Sequence, residues 1–298
     1  MSEGVASVDQ SAGPAARVPR LNEMNVGIRK DQGARAKPRG LGAEHAAQFA
    51  DESVADAYAR RPPYPREVFD ILSSLVAGAP RRLLDLGCGR GEVAREMLNC
   101  VDKVDGIDAV DASAAMIDRG RRLPGGGDAR LNWILAPAET ARLRPPYGLV
   151  VAASSLHWMD WEVVLPRIKS ALAPGAFLAS FDDDSLPPPW QAQLDAIIPR
   201  YSTNREFEPY RLIDELERRG LFRRIGSRTT TPVCFRQSIE AYVESFHSRN
   251  GFSRERMTAA AAREFDQAVR DAVAPHARGA FVELHPAVTV HWGVPCPV

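Results

Sequence analysis

The sequence has few cysteines and no surplus of charge, and each absence excludes a class of protein. Its four cysteines, at positions 88, 100, 234 and 296, form no close pair and show no zinc-ligand spacing with histidine, so neither a disulfide framework nor a metal site is expected. The 38 basic and 38 acidic side chains balance, whereas tight nucleic-acid binding draws on a basic surplus. We expect a small-molecule partner and no nucleic acid.

Long hydrophobic runs are also missing. No stretch approaches the ~20 apolar residues that span a bilayer, and the N-terminus lacks the apolar segment of a secretory signal peptide. Unpaired thiols suit a reducing compartment. We therefore expect a cytoplasmic protein without membrane contacts, present as a monomer or homodimer.

Two regions differ in composition. Residues 1–42 are rich in Gly, Ala, Ser, Pro and basic residues and have no sustained apolar period, which predicts a disordered or loosely attached tail. Residues 43–298 are expected to form one domain. Near its start, the segment Arg61-Pro-Pro-Tyr-Pro65 predicts a rigid bend, because proline fixes its own backbone and restricts the residue before it.

Short apolar runs alternate with amphipathic stretches between residues 82 and 184. This alternation is typical of βαβ units, so we predict an α/β fold with a doubly wound, mostly parallel sheet. Strands are predicted at 82–86, 104–107, 131–135, 149–153 and 177–181, with helices at 92–99, 113–121 and 161–172. After residue 184 we predict helices at 190–198, 210–219, 238–247 and 257–273 and strands at 224–230 and 287–292.

A glycine-rich turn follows the first predicted strand. The string Asp85-Leu-Gly-Cys-Gly-Arg-Gly91 places Gly87, Cys88, Gly89 and Gly91 between that strand and a helix, where glycines let the backbone approach a ligand. Dinucleotide-binding turns have the spacing G-x-G-x-x-G, whereas this turn reads G-x-G-x-G. Asp85 suits a cationic ligand such as S-adenosylmethionine (SAM), which carries an ammonium and a sulfonium, and it opposes a pyrophosphate.

This string resembles motif I of the class I SAM-dependent methyltransferases. Downstream, Ala136-Pro-Ala138-Glu139 follows the third strand, where the family has an adenine-binding loop, and Leu172-Ala-Pro-Gly175 matches the family's turn before strand five. The resemblance covers roughly residues 58–182. It implies a Rossmann-like methyltransferase fold with helical lid insertions and seven strands, the last antiparallel. It also implies SAM as cofactor, with Ala138 and Glu139 beside the adenine.

In this family the second strand ends in an acid that binds both ribose hydroxyls, and two residues fit that description. Spacing from the glycine turn favours Asp108, whereas the family string D-x-S-x-x-M matches Asp111 to Met116. We favour Asp108 on the spacing and keep Asp111 as the alternative.

Two further segments resemble a small-molecule subgroup similar to trans-aconitate methyltransferase. Tyr58 and the bend at residues 61–65 match the subgroup's N-terminal lid, which implies that Tyr64 covers the methionine part of SAM. Ser155-Leu-His-Trp-Met159 matches the subgroup's segment after strand four, and Ser154 just before it is expected to contact the cofactor. The lid is expected to comprise residues 44–65, 185–208 and 237–280.

His157 is the candidate catalytic residue. A histidine after strand four lies where the methyl group should point, and its ordinary pKa of ~6.5 suits a general base; the alternative is a histidine that only packs. A carboxylate acceptor would need no base and would use an arginine as a bidentate clamp. The arginines considered for that clamp are Arg60, Arg61, Arg205 and Arg211.

The function expected from these residues is transfer of the SAM methyl group to an oxygen, nitrogen or carbon of a small molecule. Two alternatives stay open. One is a SAM-binding enzyme of non-methyl chemistry such as cyclisation, and the other is an NAD-dependent oxidoreductase, which the glycine spacing opposes.

Overall fold

A seven-stranded sheet forms the centre of the protein in the computed structural model, which describes residues 37–76 and 78–296. The strands in chain order are β1 (Arg82–Leu86), β2 (Gly106–Asp111), β3 (Leu131–Leu135), β4 (Tyr147–Ala152), β5 (Leu172–Asp183), β6 (Phe222–Thr229), β7 (Phe235–Ser238), β8 (Phe281–Leu284) and β9 (Val288–Pro295). The sheet order is β3-β2-β1-β4-β5-β9-β6, and β7 pairs with β8 in a small separate sheet. β1 to β5 run parallel, while β9 is antiparallel to both neighbours. The predicted fold, with its last strand antiparallel, is confirmed.

The helices flank this sheet and extend beyond it. They are α1 (Ala43–Ala46), α2 (Glu52–Ala57), α3 (Arg66–Leu75), α4 (Glu92–Cys100), α5 (Ala114–Arg122), α6 (Trp161–Ala171), α7 (Gln191–Tyr201), α8 (Leu212–Arg218), α9 (Ile239–Phe246) and α10 (Ala259–Val273). Within the part of the chain that the structure describes, none of these helices combines the length and apolar character that a membrane crossing requires.

Both faces of the sheet are buried, because successive strand residues point to opposite sides. Leu83 of β1 belongs to a core shared with α3 and α4, while its neighbour Leu84 belongs to a core shared with α6 and α8. Strands covered on both faces read as continuous apolar runs. This explains why the strands could be predicted from the sequence.

A third hydrophobic core lies outside the sheet and joins α7, α9 and α10. The rings of Phe246 and Phe265 are fully buried and lie 5.6 Å apart. The indole of Trp190, just before α7, donates to the Tyr242 hydroxyl at 2.9 Å. These helices come from residues 185–208 and 237–280, so two of the three predicted lid segments pack as one unit. That this unit acts as a lid stays a prediction.

Residues 37–42 belong to the folded part of the chain, whereas residues 1–36 of the predicted tail lie outside the described residues. The Lys37 ammonium donates to the Met159 carbonyl at 3.0 Å. Leu41 is 3% exposed, and the Gly40 carbonyl accepts from the Asn204 amide at 2.9 Å. The predicted tail therefore extends too far at residues 37–42, because later segments of the chain supply the partners that these residues lack locally.

Strand β2 ends later than predicted. The prediction stopped at residue 107, but Ala109 and Val110 are fully buried and pair with both β1 and β3. The register places Asp108 opposite Leu84, within the sheet, and leaves Asp111 as the last residue of the strand. This difference determines which acid lies at the carboxyl edge, where ligands of such sheets bind.

Candidate functional site

The turn after β1 is open at Gly89. Gly87, Gly89 and Gly91 have φ of 65°, 55° and 75°, a backbone region that favours glycine. A Cβ at Gly91 would lie 2.5 Å from the Trp133 ring, whereas a Cβ at Gly89 would meet only Glu92, at 3.7 Å. The turn is therefore packed at Gly91 and accessible to a ligand at Gly89.

Asp85 and Cys88 are buried beneath this turn. The Asp85 carboxylate accepts from the backbone N–H of Ala94 in α4 at 3.1 Å. The backbone N–H of Cys88 donates to the Val110 carbonyl at 3.0 Å. Together these bonds hold the turn against α4 and β2, so the open face at Gly89 has a fixed position.

Three carboxylates surround the turn. Burial first, and then the charges of Glu92 and Asp111, raise the pKa of Asp85 to about 8. Burial and the charge of Glu92 also raise the pKa of Asp111. Arg90 lies 2.7 Å from Glu92 and offsets its charge. The turn consequently favours a cation and disfavours a phosphate.

Asp111 lies directly beside the open glycine. One of its oxygens accepts from the backbone N–H of Gly89 and the other from that of Ser113, each at 2.8 Å. Its position at the end of β2 places it at the carboxyl edge of the sheet, where a ligand on the turn can reach it.

Asp108, which the spacing favoured for the ribose, lies elsewhere, within the sheet. It is fully buried, and its carboxylate accepts from the Asn132 amide at 2.9 Å, from the Tyr147 hydroxyl at 2.6 Å and from the Arg144 guanidinium. Burial alone would raise the pKa of Asp108, but these hydrogen bonds lower it on balance. These hydrogen bonds join β2 to Asn132 of β3 and to Tyr147 of β4 within the sheet.

The loop at residues 136–140, expected beside the adenine, lies next to the end of β2. The backbone N–H of Ala136 donates to the Asp111 carbonyl at 3.0 Å. Ala138 is packed in the core on the α6 side, and the Glu139 carboxylate accepts from the backbone N–H of Asp160 at 2.8 Å. The structure thus brings Ala138 and Glu139 to the edge that carries Asp111.

Tyr64 and Ser154 meet where β4 ends. Their side chains are hydrogen-bonded, and burial raises the pKa of the Tyr64 hydroxyl. The Tyr64 ring packs edge-on against Phe181 of β5, with ring centres 5.3 Å apart. Ser154 has a φ of 51°, which is uncommon for a residue with a Cβ and concentrates at functional sites. The two predicted contacts therefore lie together.

His157 follows β4 and is half-buried. Burial first, and then the positive charge of Lys37, lower the pKa of His157 to about 4; Asp182 opposes this shift and Arg61 adds to it. The imidazole lies 4.6 Å from the Trp158 ring between centroids. His157 is therefore neutral near pH 7, but it is a weaker base than its ordinary pKa suggested.

Of the four arginines considered for a carboxylate clamp, Arg61 is the one beside this histidine. Its guanidinium donates to the Ser248 hydroxyl at 2.7 Å and lies 4.0 Å from the centre of the Tyr58 ring. Arg60 is exposed, Arg205 donates to backbone carbonyls of α7, and Arg211 pairs with Asp214 on the surface.

Arg249, which follows α9, was missed in the sequence. Although solvent reaches its side chain, the surrounding protein lowers the pKa of Arg249, chiefly by desolvation, and the charge of Arg61 acts in the same direction. Arg249 therefore lies near Arg61. The charge of Asp183 opposes this shift in the pKa of Arg249. No local pattern marks Arg249, because the packing of α9 against residues 58–60, which are remote in the sequence, brings it here.

Residues 83–175 match a family model described as a methyltransferase domain. Over these residues the chain is similar to methyltransferase domains. Over 116 residues the chain is 34% identical to trans-aconitate 2-methyltransferase of Pseudomonas aeruginosa, covering 39% of this chain and 40% of that protein. Over 144 residues it is 33% identical to the protein of the same name in Methylobacterium nodulans, covering 48% and 49%. The chain thus spans less than half the length of these curated relatives.

A solved structure extends the likeness to the fold of the whole domain. A protein described as a type II methyltransferase of Anaeromyxobacter dehalogenans superposes with a TM-score of 0.56 and 24% identity, covering 80% of this chain and 99% of that one. This match supports a Rossmann-like methyltransferase fold. Together with the sequence relatives, it confirms the predicted resemblance to class I methyltransferases similar to trans-aconitate methyltransferase.

Proposed function

We propose that the protein transfers the methyl group of SAM to a carboxylate oxygen of a small molecule. The observation that carries the cofactor assignment is the glycine turn, which is open at Gly89 and surrounded by the carboxylates of Asp85, Glu92 and Asp111. A cationic ligand relieves the repulsion among these acids, whereas the pyrophosphate of NAD would add to it. The match to a methyltransferase domain over residues 83–175 supports the same cofactor.

Different residues at this edge of the sheet are proposed to contact different parts of the cofactor. Asp111 is the proposed acceptor for the ribose hydroxyls, because it ends β2 beside Gly89. Ala138 and Glu139 are proposed to border the adenine, and Tyr64 and Ser154 the methionine part. Asp85 and Cys88 support the turn from below through their bonds to α4 and β2.

The acceptor side carries an excess of positive charge. The charges of Lys37 and Arg61 lower the pKa of His157 while that of Asp182 opposes them, and Arg249 lies near Arg61 and Asp183. Guanidinium groups bind carboxylates through paired hydrogen bonds. The name trans-aconitate 2-methyltransferase, printed for the relatives, refers to a carboxylic acid as well.

A carboxylate acceptor also fits the weak basicity of His157. SAM supplies a methyl group that its sulfonium already activates, and a carboxylate attacks without losing a proton first. A histidine with a pKa of about 4 has little power to deprotonate an amine or a phenol at pH 7. His157 is therefore proposed to position the acceptor and to exclude water together with Trp158.

The state of the cysteines bears on the compartment in which the protein works. The four cysteines are free thiols, which suits action in the cytoplasm. We propose that the protein works there as a monomer or homodimer on a small molecule, without nucleic acid.

The experiment compares acceptor classes with the purified full chain. SAM is incubated with small di- and tricarboxylates, including trans-aconitate, and with amines and phenols of similar size. S-adenosylhomocysteine is quantified, and the product is identified by mass as a methyl ester. Arg249→Gln should lower kcat/KM for the carboxylate roughly 10- to 100-fold, because a charged hydrogen bond is lost, and leave SAM affinity unchanged. Arg205→Gln is the matched surface control.

Two results would contradict the proposal at different levels. Methylation of amines or phenols alone, with Arg249→Gln as active as the wild type, would remove the carboxylate assignment and keep methyl transfer. Conversion of substrate without S-adenosylhomocysteine or a methylated product would remove methyl transfer and favour chemistry such as cyclisation.

A further inference from the structure

The small sheet of β7 and β8 brings Cys234 beside Glu283 and His285, which lie far from it in the sequence. Its antiparallel register pairs Phe235 with Leu284 and Arg236 with Glu283. One step beyond the ladder, Cys234 stands opposite His285. Cross-strand partners and residues two apart share one face of a sheet, so Cys234, Glu283 and His285 lie on the same side.

The side chains of these residues converge. The Cys234 sulfur, a Glu283 oxygen and a His285 nitrogen all lie within 4.8 Å of one another. The His285 Nε2 is 3.4 Å from Glu283 Oε1, and the Cys234 thiol is hydrogen-bonded to Glu283. In a tetrahedral zinc site, sulfur and nitrogen ligands stand about 3.6 Å apart, given bonds of ~2.3 and ~2.0 Å. The observed cluster needs only a small adjustment to reach that geometry.

The charges of the ligands and the position of Arg236, the nearest competitor for Glu283, also favour a cation at this position. A thiolate and a carboxylate together balance a divalent cation. Arg236, which faces Glu283 across the ladder, places its guanidinium 4.5 Å from the centre of the Phe281 ring, and it forms no ion pair among the described residues. The Glu283 carboxylate is therefore left to Cys234 and His285. Solvent reaches all three groups, so an ion can enter.

We propose that Cys234, Glu283 and His285 bind a divalent transition metal, with zinc as the preferred ion and water in the fourth position. Sulfur, imidazole and carboxylate ligands form the set that zinc accepts in tetrahedral sites. On binding, the sulfur–hydrogen bond of Cys234 is replaced by a sulfur–metal bond, and one proton leaves to solvent. No metal was expected from the sequence, because no short spacing links Cys234 to the other two ligands.

A metal bound by Cys234, Glu283 and His285 would link two parts of the chain that lead to other elements of the fold. Cys234 precedes β7, which runs directly into α9 with Ser238 as its helix cap, while His285 lies between β8 and β9. A bound metal would join the start of β7 to the β8–β9 connection. It would thereby stabilise the elements from which α9 leads to Arg249.

Cobalt titration of the reduced full-length protein tests the site without any use of methyltransferase activity. Cobalt bonded to a thiolate gives a charge-transfer absorption in the near ultraviolet, which zinc should remove by competition at one ion per chain. Zinc at 100-fold excess over its Kd should raise Tm by about 5 °C. Binding should also release one proton.

Variants separate a built site from adventitious binding. Cys234→Ser should abolish the cobalt–thiolate absorption, and His285→Gln should weaken zinc binding at least roughly tenfold, because each ligand contributes directly to affinity. Cys100→Ser and His276→Gln are the matched controls and should bind as the wild type does. Absence of the thiolate band, or its persistence in Cys234→Ser, would overturn the proposal. So would equal zinc affinity in wild type and His285→Gln.

Discussion

Replacing Asp108 and Asp111 separately by alanine should produce two different defects. Asp108→Ala removes the acceptor of the fully buried Tyr147 hydroxyl and of the Asn132 amide. An unsatisfied buried donor costs about 1–3 kcal/mol, so the free energy of unfolding should fall by ~2–4 kcal/mol. Arg144 adds little, because its side chain is 51% exposed and can turn to water.

Asp111→Ala should instead weaken cofactor binding. Two ribose hydroxyls would lose a charged acceptor, at ~1.5–3 kcal/mol, which corresponds to a SAM affinity lower by roughly 10- to 150-fold. The free energy of unfolding should change less than in Asp108→Ala, because Asp111 is half-buried and water can replace it at Gly89 and Ser113.

Urea unfolding and calorimetric titration with SAM measure the two effects on the same samples. Wild-type stability should also fall in acid as Asp108 is protonated. Its contribution is complete above the ordinary carboxyl pKa and is lost as pH falls through the lowered pKa of Asp108. A folded Asp108→Ala protein of normal stability that loses SAM binding, beside an Asp111→Ala protein that keeps it, would refute this assignment.

Three further predictions concern protonation and the N-terminal segment. Asp85 has a pKa of about 8 and must lose a proton to face a cation, so SAM affinity should rise about 20-fold from pH 6.0 to 7.5. The rise should vanish in Asp85→Asn. A wild-type SAM affinity that does not change with pH would contradict the coupling between SAM binding and the ionisation of Asp85. Because the pKa of His157 is about 4, kcat should stay level from pH 8 to about 5; a decline below pH 6 that His157→Ala abolishes would instead identify a general base. Removal of residues 1–36 should leave SAM affinity unchanged. Removal of residues 1–41 should lower Tm, because Leu41 and Lys37 pack against the domain. Equal Tm values for the two truncated proteins would be inconsistent with that packing.

The sequence predicted those features that depend on neighbouring residues. β1 and β3 have the predicted bounds. Ser238 is the N-cap of α9, which agrees with the helix predicted to start at residue 238. The glycine turn was legible because its backbone conformation and its position after β1 are both local properties.

Features set by distant partners were missed. The end of β2 was placed too early, because a buried aspartate reads as a strand end unless Arg144 and Tyr147 are known to bind it. Arg249 and Lys37 reach the site only through packing of segments that are remote in the chain. The β7–β8 sheet was also absent from the prediction, since its strands are short and joined through two helices.

Calorimetry with SAM, S-adenosylhomocysteine and NAD tests the central assignment most directly. SAM and S-adenosylhomocysteine should bind in the micromolar range, about −8 kcal/mol, and NAD should not bind. Gly89→Val should abolish SAM binding, because a side chain would enter the open face of the turn. Gly220→Val is the matched control, since Gly220 also has positive φ and free space around its Cβ position, and it should bind SAM normally. Binding of NAD without SAM, or normal SAM affinity in Gly89→Val, would contradict the account.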